Sequence, residues 1–185
     1  MRYKPEQKKE THQKIIAAAG RSFRKSGFDG IGVDGLAKEA GVTSGAFYKH
    51  FPSKKAAFET IVVEGLKEVQ QAILGLQEAH GEDWWKALAE FYVTEKRTCD
   101  AKNSCGLQSL TSEVSRSDDD LKTAYEQELL NIANIATEGE GESVSGETWE
   151  KLAILIGGVT MARAVNDPEL SEQIGQAVQN SALFK

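Results

Sequence analysis

The sequence predicts an all-α protein of about nine helices, and three observations support this fold class. Apolar residues recur at spacings of three and four along most of the chain, as they do on one face of a helix. Only three of the 185 residues are proline. Apolar runs with the two-residue alternation of a strand are few, so a β-sheet is not expected.

The first predicted helix runs from about Glu6 to Lys25, with Ile15, Ala19 and Phe23 on one face and Ser26-Gly27 at its end. A short second helix spans about Val33 to Ala40. Its apolar pattern stops at a glycine, which is the residue that most readily ends a helix.

After Gly41, either Thr43 or Ser44 is able to cap a third helix, which continues to His50. Pro52-Ser53 then begins a long fourth helix that Gly81 ends. Its apolar stripe consists of Phe58, Ile61, Val62, Leu66, Val69, Ile73 and Leu76.

Five more helices are expected at about 83–99, 104–115, 118–137, 147–165 and 168–181. Acidic residues after Ser117 favour a helix start, because they meet the positive end of the helix dipole. Asp167-Pro168 is a second good start, with Asp as the cap. The stretch Glu138–Gly146, rich in Gly, Glu and Ser, is expected to be a flexible linker.

The net charge of −6 is unevenly distributed along the chain. Residues 1–58 contain twelve Lys/Arg and five Asp/Glu, a net charge of +7, whereas residues 59–185 contain ten and twenty-three, a net charge of −13. The first part is therefore suited to meet phosphate and the second to repel it. An unstructured basic tail is the alternative explanation, and the regular helical pattern of this segment argues against it.

Membrane insertion and secretion are not expected. The longest apolar stretch, Leu152–Val159, is far shorter than the roughly 20 residues of a membrane span. The basic, polar N-terminus lacks the apolar region of a secretory signal. A cytoplasmic location follows, in which Cys99 and Cys105 remain thiols.

The segment Leu36–Phe51 combines the features of a helix-turn-helix. Ala37 and Gly41 provide the small residue and the glycine that two crossing helices need. Four small or basic residues are expected to point outward, as in a helix that enters the major groove: Thr43, Ser44, Ala46 and Lys49. The residues beside them with donors for phosphate are Tyr48, His50, Lys54 and Lys55.

The sequences IIAAAGRSFRKSGF (15–28) and GVTSGAFYKHFPSK (41–54) resemble the tetracycline-repressor (TetR/AcrR) family of bacterial regulators. The resemblance implies a three-helix DNA-binding domain, a divergent ligand-binding domain and a homodimer on a palindromic operator in double-stranded DNA. It implies base contacts by Thr43, Ser44, Ala46 and Lys49, and phosphate contacts by Tyr48, His50 and Lys54. The expected domains are residues 1–55 and residues 56–185.

One position departs from the family pattern. Ile31 and Gly32 precede the second helix, where the family usually has a Thr or Ser that caps the helix. Gly35 weakens the same helix by about 1 kcal/mol relative to alanine. Operator affinity is then modest, unless the N-terminal arm compensates through Arg2, Lys4, Lys8 and Lys9.

The second domain is expected to bind a small-molecule effector, since CGLQSLTSEVSRSDDDLKTAYEQEL, from Cys105, resembles one branch of the family's ligand-binding domains. Candidate pocket residues are Trp84, Phe91, Tyr92, Leu107, Leu110 and Tyr125, although such aromatic residues are often plain core. A candidate dimer interface consists of Trp149, Leu152, Ile156, Val159, Ile174 and Val178, with Gly157 and Gly158 allowing close approach. An intramolecular core is the alternative for this second set.

Other functions remain as alternatives. An enzyme is not expected, because the three histidines lie far apart in sequence and no cofactor or metal motif is present. A DNA-binding protein of the same fold without a ligand is one alternative. A thiol redox sensor is another, because Cys105 begins a predicted helix, where the dipole lowers a thiol pKa.

Overall fold

A computed structural model describes residues 5–137 and 144–184. In those residues it contains nine α-helices and no strand, which confirms the all-α fold class. The helices are α1 (Pro5–Ser26), α2 (Val33–Glu39), α3 (Ser44–Tyr48), α4 (Lys54–His80), α5 (Trp84–Phe91), α6 (Gly106–Ser115), α7 (Asp119–Ala136), α8 (Gly146–Ala164) and α9 (Pro168–Gln179). Most of the predicted linker lies outside the described residues, as do Arg2 and Lys4.

The caps of the helices explain where several of them begin. Thr43, Ser53, Asp118 and Asp167 each accept a hydrogen bond from a backbone N–H of the first turn that follows them. The N-cap of α2 is Gly32, which provides no side-chain cap, as the sequence predicted. The first turn of α2 therefore lacks one stabilising contact that the other starts have.

The predicted helix at 83–99 does not continue as one α-helix. Residues Tyr92–Lys96 form a π-helical turn directly after α5, and Ala101–Asn103 form a 3-10 turn before α6. The guanidinium of Arg163, from α8, donates hydrogen bonds of 2.7 to 3.2 Å to the carbonyl oxygens of residues 96, 97 and 99. These contacts satisfy carbonyls that the end of the helix leaves without partners.

The first three helices pack around aromatic residues that are buried against the start of α4. Phe23 of α1 meets Phe58 of α4 edge to face, with ring centroids 5.1 Å apart, and Phe28 lies against both. Phe47, which is fully buried, connects α3 to the same core. The predicted domain boundary at residue 55 falls in the first turn of α4, so this helix continues from one predicted domain into the other.

The second part of the chain packs around α4, which lies against α5, α6 and α7, while α8 packs along α9. The backbones of α4 and α6 approach closely at Gly65 and Gly106, where a Cβ on Gly106 would lie 3.0 Å from the Cα of Gly65. The turn Ala101–Asn103 packs against α1. In the described part of the chain, no helix is long and apolar enough to cross a membrane.

Candidate nucleic-acid interface and adjoining cleft

The four residues predicted to contact bases lie along α3, with Thr43 at its N-cap and Lys49 at its C-cap. Thr43 and Lys49 are exposed, whereas Ser44 and Ala46 are partly exposed. The Thr43 hydroxyl accepts a hydrogen bond from the Ala46 backbone N–H at 3.1 Å, and the Ser44 hydroxyl donates to a carboxylate oxygen of Asp34 in α2 at 2.5 Å. The two hydroxyls are thereby held in fixed orientations on the same surface.

Gly45 lies at the centre of this surface, although it was not among the predicted contact residues. It is exposed, and the only atom within 4 Å of a Cβ built at this position is the Thr43 hydroxyl oxygen, 3.9 Å away. A residue without a side chain on the first turn of α3 lets another molecule approach the helix backbone. Its place between Ser44 and Ala46 was the signal available in the sequence.

The N-terminal half of α1 lies beside α3 and adds basic residues to the same face. Lys8, Lys9, His12, Lys49 and His50 line a groove of about 420 Å³. The sequence singled out the two α1 lysines only as part of an N-terminal arm. The structure shows that they adjoin the C-terminal end of α3, so the basic surface consists of two helices.

His12 and His50, although far apart in the sequence, stack with ring centroids 5.4 Å apart. The pKa of His50 is lowered, mainly because burial disfavours the charged imidazolium and also because His12 and Lys8 repel its charge. The described residues contain no group of three or more His, Cys, Asp or Glu side chains placed to hold a metal.

Tyr48 and Lys54, both predicted phosphate contacts, have different surroundings. The Tyr48 side chain is 53% exposed and packs edge to face on Phe47, so its hydroxyl is accessible. The Lys54 ammonium instead donates to the carbonyl oxygens of Phe28 and Ile31, at 2.9 and 3.3 Å. Lys54 therefore holds the loop between α1 and α2 against α4, a role that the sequence analysis did not predict.

Lys55 forms ion pairs with Asp118 at the start of α7 and with Glu59 in its own helix, at 2.5 and 3.5 Å. The pKa of Asp118 is lowered, with the hydrogen bond from Lys55 as the largest cause. Both side chains are about half exposed, so the pair contributes little to the free energy of folding. The Lys55–Asp118 pair nevertheless connects the predicted DNA-binding domain with α7.

A second cleft, of about 490 Å³, lies between α1, α4, α5 and the segment 102–106. Both basic and apolar side chains line it. It is lined by Ala17, Arg21, Arg24, Gly65, Glu68, Val69, Ala72, Leu88, Phe91, Tyr92, Lys96, Lys102, Asn103, Ser104, Cys105 and Gly106. This cleft adjoins the predicted DNA-binding domain through α1. Because we propose below that it binds the effector, we call it the effector cleft.

Of the six predicted pocket residues, only Phe91 and Tyr92 line this cleft. Trp84 is buried and stacks on Trp85, with ring centroids 4.2 Å apart. Leu107 and Leu110 are buried in the hydrophobic core, and the Tyr125 hydroxyl forms a 2.8 Å hydrogen bond with Thr111. The basic residues of the cleft come from α1 and from the segment before α6, which no local pattern connects.

The residues predicted for the dimer interface divide into two groups. Leu152, Val159 and Val178 are buried within the subunit. A Cβ on Gly158 would lie 2.2 Å from a methyl carbon of Val178, so this glycine allows α8 and α9 to pack together. The remaining three, Trp149, Ile156 and Ile174, are partly or fully exposed.

Three further residues belong to the same outer face of α8 and α9. Met161 is 59% exposed and Leu170 is 42% exposed. Gly157 is also exposed, and a Cβ built on it meets no atom within 4 Å. The two helices therefore present an apolar surface with a small residue in its middle.

The two cysteines are free thiols. Cys105 is buried, and its sulfur lies 3.0 Å from the hydroxyl oxygen of Tyr92. Burial, with the neighbouring thiol as a second cause, raises the pKa of Tyr92 well above its ordinary value, so its hydroxyl stays protonated. Cys99 is partly buried near Arg163, whose guanidinium is 3.6 Å from its sulfur.

The basic groove, the exposed start of α3 and the glycine turn before it define a helix-turn-helix DNA-binding protein. Residues 15–61 match the family model described as "Bacterial regulatory proteins, tetR family". Residues 15–61 therefore form a TetR-family DNA-binding domain, and the described part of the chain has the fold of TetR-family regulators.

Among curated proteins, the transcriptional regulator LmrA of Bacillus subtilis is 35% identical over 64 residues. The aligned region covers 35% of this chain and only 32% of LmrA, so the chain spans about a third of that relative. The likeness therefore concerns about a third of each protein.

Solved structures extend the likeness to the whole fold. A TetR-family regulator from Cytophaga hutchinsonii has a TM-score of 0.74 at 18% identity, with 98% of this chain and 96% of that chain covered. FadR from Bacillus subtilis, solved in complex with stearoyl-CoA, has a TM-score of 0.61 at 21% identity, with coverages of 91% and 97%. At these identities the likeness concerns the fold alone.

Proposed function

We propose that the protein is a ligand-responsive transcriptional repressor that binds a palindromic operator as a homodimer and is released by a small-molecule effector. The observation that carries the DNA-binding part is the groove in which Lys8, Lys9 and His12 of α1 adjoin Lys49 and His50. Positive side chains beside an exposed helix end suit a phosphate backbone with a major groove next to it. A regulator of this kind works in the cytoplasm and performs no catalysis.

In this proposal the start of α3 contacts bases, whereas its C-terminal end contacts phosphates. Thr43, Ser44 and Ala46, at the start of the helix, lie closest to the bases, and Gly45 allows the backbone to approach them. Tyr48 and His50 contact phosphates at the other end, together with the lysines of α1. Phosphate contacts fix the position of the protein on the duplex, whereas base contacts select the sequence.

Dimerisation is proposed through the outer face of α8 and α9. Trp149, Gly157, Met161 and Leu170 leave apolar surface in water on the isolated subunit. Two such helix pairs related by a twofold axis form a four-helix interface, in which Gly157 allows close approach. Since each subunit then reads one half-site, the operator is expected to be palindromic.

The effector acts by shifting a population between two dimer states. Two recognition helices fit successive major grooves only at a spacing of roughly 34 Å. An effector that binds better to a state with another spacing therefore lowers operator affinity. FadR, of similar fold, was solved with stearoyl-CoA, which supports a small-molecule site in this chain as well.

The direct test is to select DNA from a random pool with the purified full-length protein and to sequence the bound fraction, with and without an extract of small molecules. The proposal predicts an inverted repeat whose half-site centres are about 10 base pairs, or a multiple of that, apart. It also predicts weaker binding in the extract. A pool without an enriched motif contradicts operator recognition, and equal binding in both conditions favours the alternative without a ligand.

A thiol sensor is the second candidate function, and its specific observation is that Cys105 lines the effector cleft beside Tyr92. Burial of the thiol argues against rapid oxidation, because access limits the reaction. Serine preserves a hydrogen bond to Tyr92, so we expect Cys105→Ser to bind and release the operator as the wild type does. If dilute peroxide released only the wild type from DNA, the redox function would replace the ligand-responsive one.

A further inference from the structure

We propose that the effector cleft binds an organic carboxylate with a compact apolar body, and that this anion is the effector. The proposal rests on the ligand-responsive function above and specifies the chemistry of its ligand. It follows from the charge of the cleft, from the partly satisfied guanidinium of Arg24 and from the apolar side chains that line the same cleft.

The cleft has a net positive charge. Four cationic side chains line it, Arg21, Arg24, Lys96 and Lys102, against a single carboxylate, that of Glu68. The two arginines belong to the basic residues 1–58, whereas the two lysines belong to residues 59–185, which carry a net charge of −13 as a whole. A concave site lined by charges of one sign attracts a ligand of opposite charge, here an anion.

Arg24 is the most constrained of these cations. Its side chain is only 15% exposed, one terminal nitrogen lies 3.2 Å from the Glu68 carboxylate, and Nε is buried without a hydrogen-bond partner. The other terminal nitrogen lies 3.1 Å from the position that a Cβ on Gly20 would occupy, so the guanidinium rests on the α1 backbone. A buried guanidinium with few acceptors is unfavourable, and a carboxylate in the cleft would accept from the terminal N–H groups of Arg24 that Glu68 leaves free.

The other three cations of the cleft have few hydrogen-bond or ion-pair partners. The Lys96 ammonium donates to the Asn103 carbonyl oxygen at 3.2 Å, and Lys102 is 4.0 Å from Asp100. Arg21 is exposed and forms no ion pair with any described residue. Several donors therefore remain available for the oxygens of one carboxylate.

The apolar side chains of the cleft determine which apolar body the carboxylate ligand carries. Val69 and Leu88 are buried, and the partly exposed Phe91 ring has the Lys96 ammonium 5.4 Å from its centroid. The volume of about 490 Å³ lies within the range of roughly 300 to 1,000 Å³ that small-molecule sites occupy. A ligand with its carboxylate at the arginines and an aromatic or short aliphatic body against Phe91 suits both the cationic and the apolar side chains of the cleft.

The position of the cleft explains how such a ligand reaches the DNA-binding face. Arg21 and Arg24 belong to α1, the helix that carries Lys8, Lys9 and His12 in the basic groove. The opposite side includes the segment 102–106, and Ala101–Asn103 pack against α1. An anion held between them changes how α1 sits on the rest of the subunit, and the basic groove moves with this helix.

The experiment uses the full-length protein and three carboxylates, benzoate, 2-naphthoate and hexanoate, each paired with its neutral amide. Thermal shift and calorimetric titration measure binding to the wild type, to Arg24→Gln and Arg21→Gln, and to the control Lys86→Gln. Lys86 is an exposed lysine of α5 that does not line the cleft. Because Arg21 is exposed, its variant is expected to fold even if the Arg24 variant does not.

We expect at least one carboxylate to bind and its amide not to bind. The affinity is expected to fall about tenfold in Arg24→Gln, about threefold in Arg21→Gln, and not at all in Lys86→Gln. The bound carboxylate is also expected to weaken operator binding of the wild type. Binding by none of the carboxylates, equal binding of acid and amide, or binding without an effect on operator affinity overturns the proposal. None of these results affects operator recognition itself, which fails only if DNA selection enriches no motif.

Discussion

The Lys54 ammonium and the backbone of Phe28 form two contacts at once. The nitrogen donates a hydrogen bond to the Phe28 carbonyl oxygen at 2.9 Å, and it lies 4.1 Å from the centroid of the same residue's ring. A further hydrogen bond reaches the Ile31 carbonyl oxygen. The loop before α2, a helix that begins without a side-chain cap, is thus fastened to the first residue of α4.

The first prediction is that Lys54→Met lowers the free energy of unfolding by about 1 to 3 kcal/mol, because the hydrogen bonds that it removes come from a charged donor. Urea denaturation measures this loss, and Lys86→Met, at an exposed lysine outside these contacts, is the control. The phosphate contact predicted from sequence gives a different result: unchanged stability with a salt slope of operator binding smaller by about one unit. That pattern would contradict the structural role.

The second prediction concerns His50 and pH. The pKa of His50 in the folded chain lies below the ordinary 6.5, first because of burial and then because of His12 and Lys8. As pH falls through 6.5, the unfolded chain binds the proton before the folded chain does, so stability decreases from there down to the folded pKa. Above pH 6.5 this contribution to the pH dependence disappears.

Denaturation of the wild type and of His50→Gln at several pH values checks this sign. We expect the variant to lose less stability than the wild type as pH falls from about 7 to about 5.5. Operator binding is expected to respond in the opposite direction, because a phosphate beside His50 stabilises the imidazolium and binding then takes up a proton. A wild type and a variant with parallel profiles would exclude His50 as the titrating group.

The sequence predicted those parts of the fold that depend on local chemistry. Asp167 was identified as a cap, and either Thr43 or Ser44 as another, because such side chains bond to the backbone two or three residues ahead. The structure confirms Asp167 and shows that Thr43 is the cap of α3. The acidic residues after Ser117 were expected to begin a helix, and Asp118 is the cap of α7. Gly81 was expected to end α4 and does so at a φ of +53°, which favours glycine.

Contacts between distant segments were not predictable in the same way. His12 and His50 are 38 residues apart in the sequence, and no periodic pattern connects them. Arg24 of α1 pairs with Glu68 of α4, and Lys54 bonds to a loop more than 20 residues earlier in the sequence. The sequence contains each cation of the effector cleft, but only the packing of the helices brings them together. The cleft was therefore not predictable from the sequence.

The third prediction concerns the dimer and uses Gly157 on the outer face of α8. Because no described residue lies within 4 Å of a Cβ at this position, apart from its chain neighbours and the backbone of its own helix, Gly157→Glu is expected to leave the subunit folded. A charged side chain in the middle of the proposed apolar interface is expected to separate the dimer, since an unpaired buried charge is strongly unfavourable. Light scattering measures the mass, and operator affinity is expected to fall with it.

Gly75→Glu is the matched control for this dimer test. Gly75 is also an exposed helical glycine with open space around it, but it belongs to α4. We expect this variant to keep the mass and the operator affinity of the wild type. A Gly157→Glu protein that remains dimeric would place the interface elsewhere on the molecule.

The last prediction separates reading from positioning on α3. Lys49 is exposed at the C-cap of α3, next to the partly exposed Ala46, and an ammonium there is able to donate to guanine O6 and N7 in the major groove. We expect Lys49→Ala to cost about 1 to 3 kcal/mol on the preferred operator and much less on a variant changed at one base pair per half-site. The groove that Lys49 shares with Lys8, Lys9 and His50 suggests the competing role of a phosphate anchor. Titrations of the wild type, Lys49→Ala and Lys9→Ala on the operator and on single-base variants decide between them. Lys9→Ala is expected to weaken binding to every sequence equally, and a Lys49→Ala protein that did the same would be assigned to the phosphate contacts.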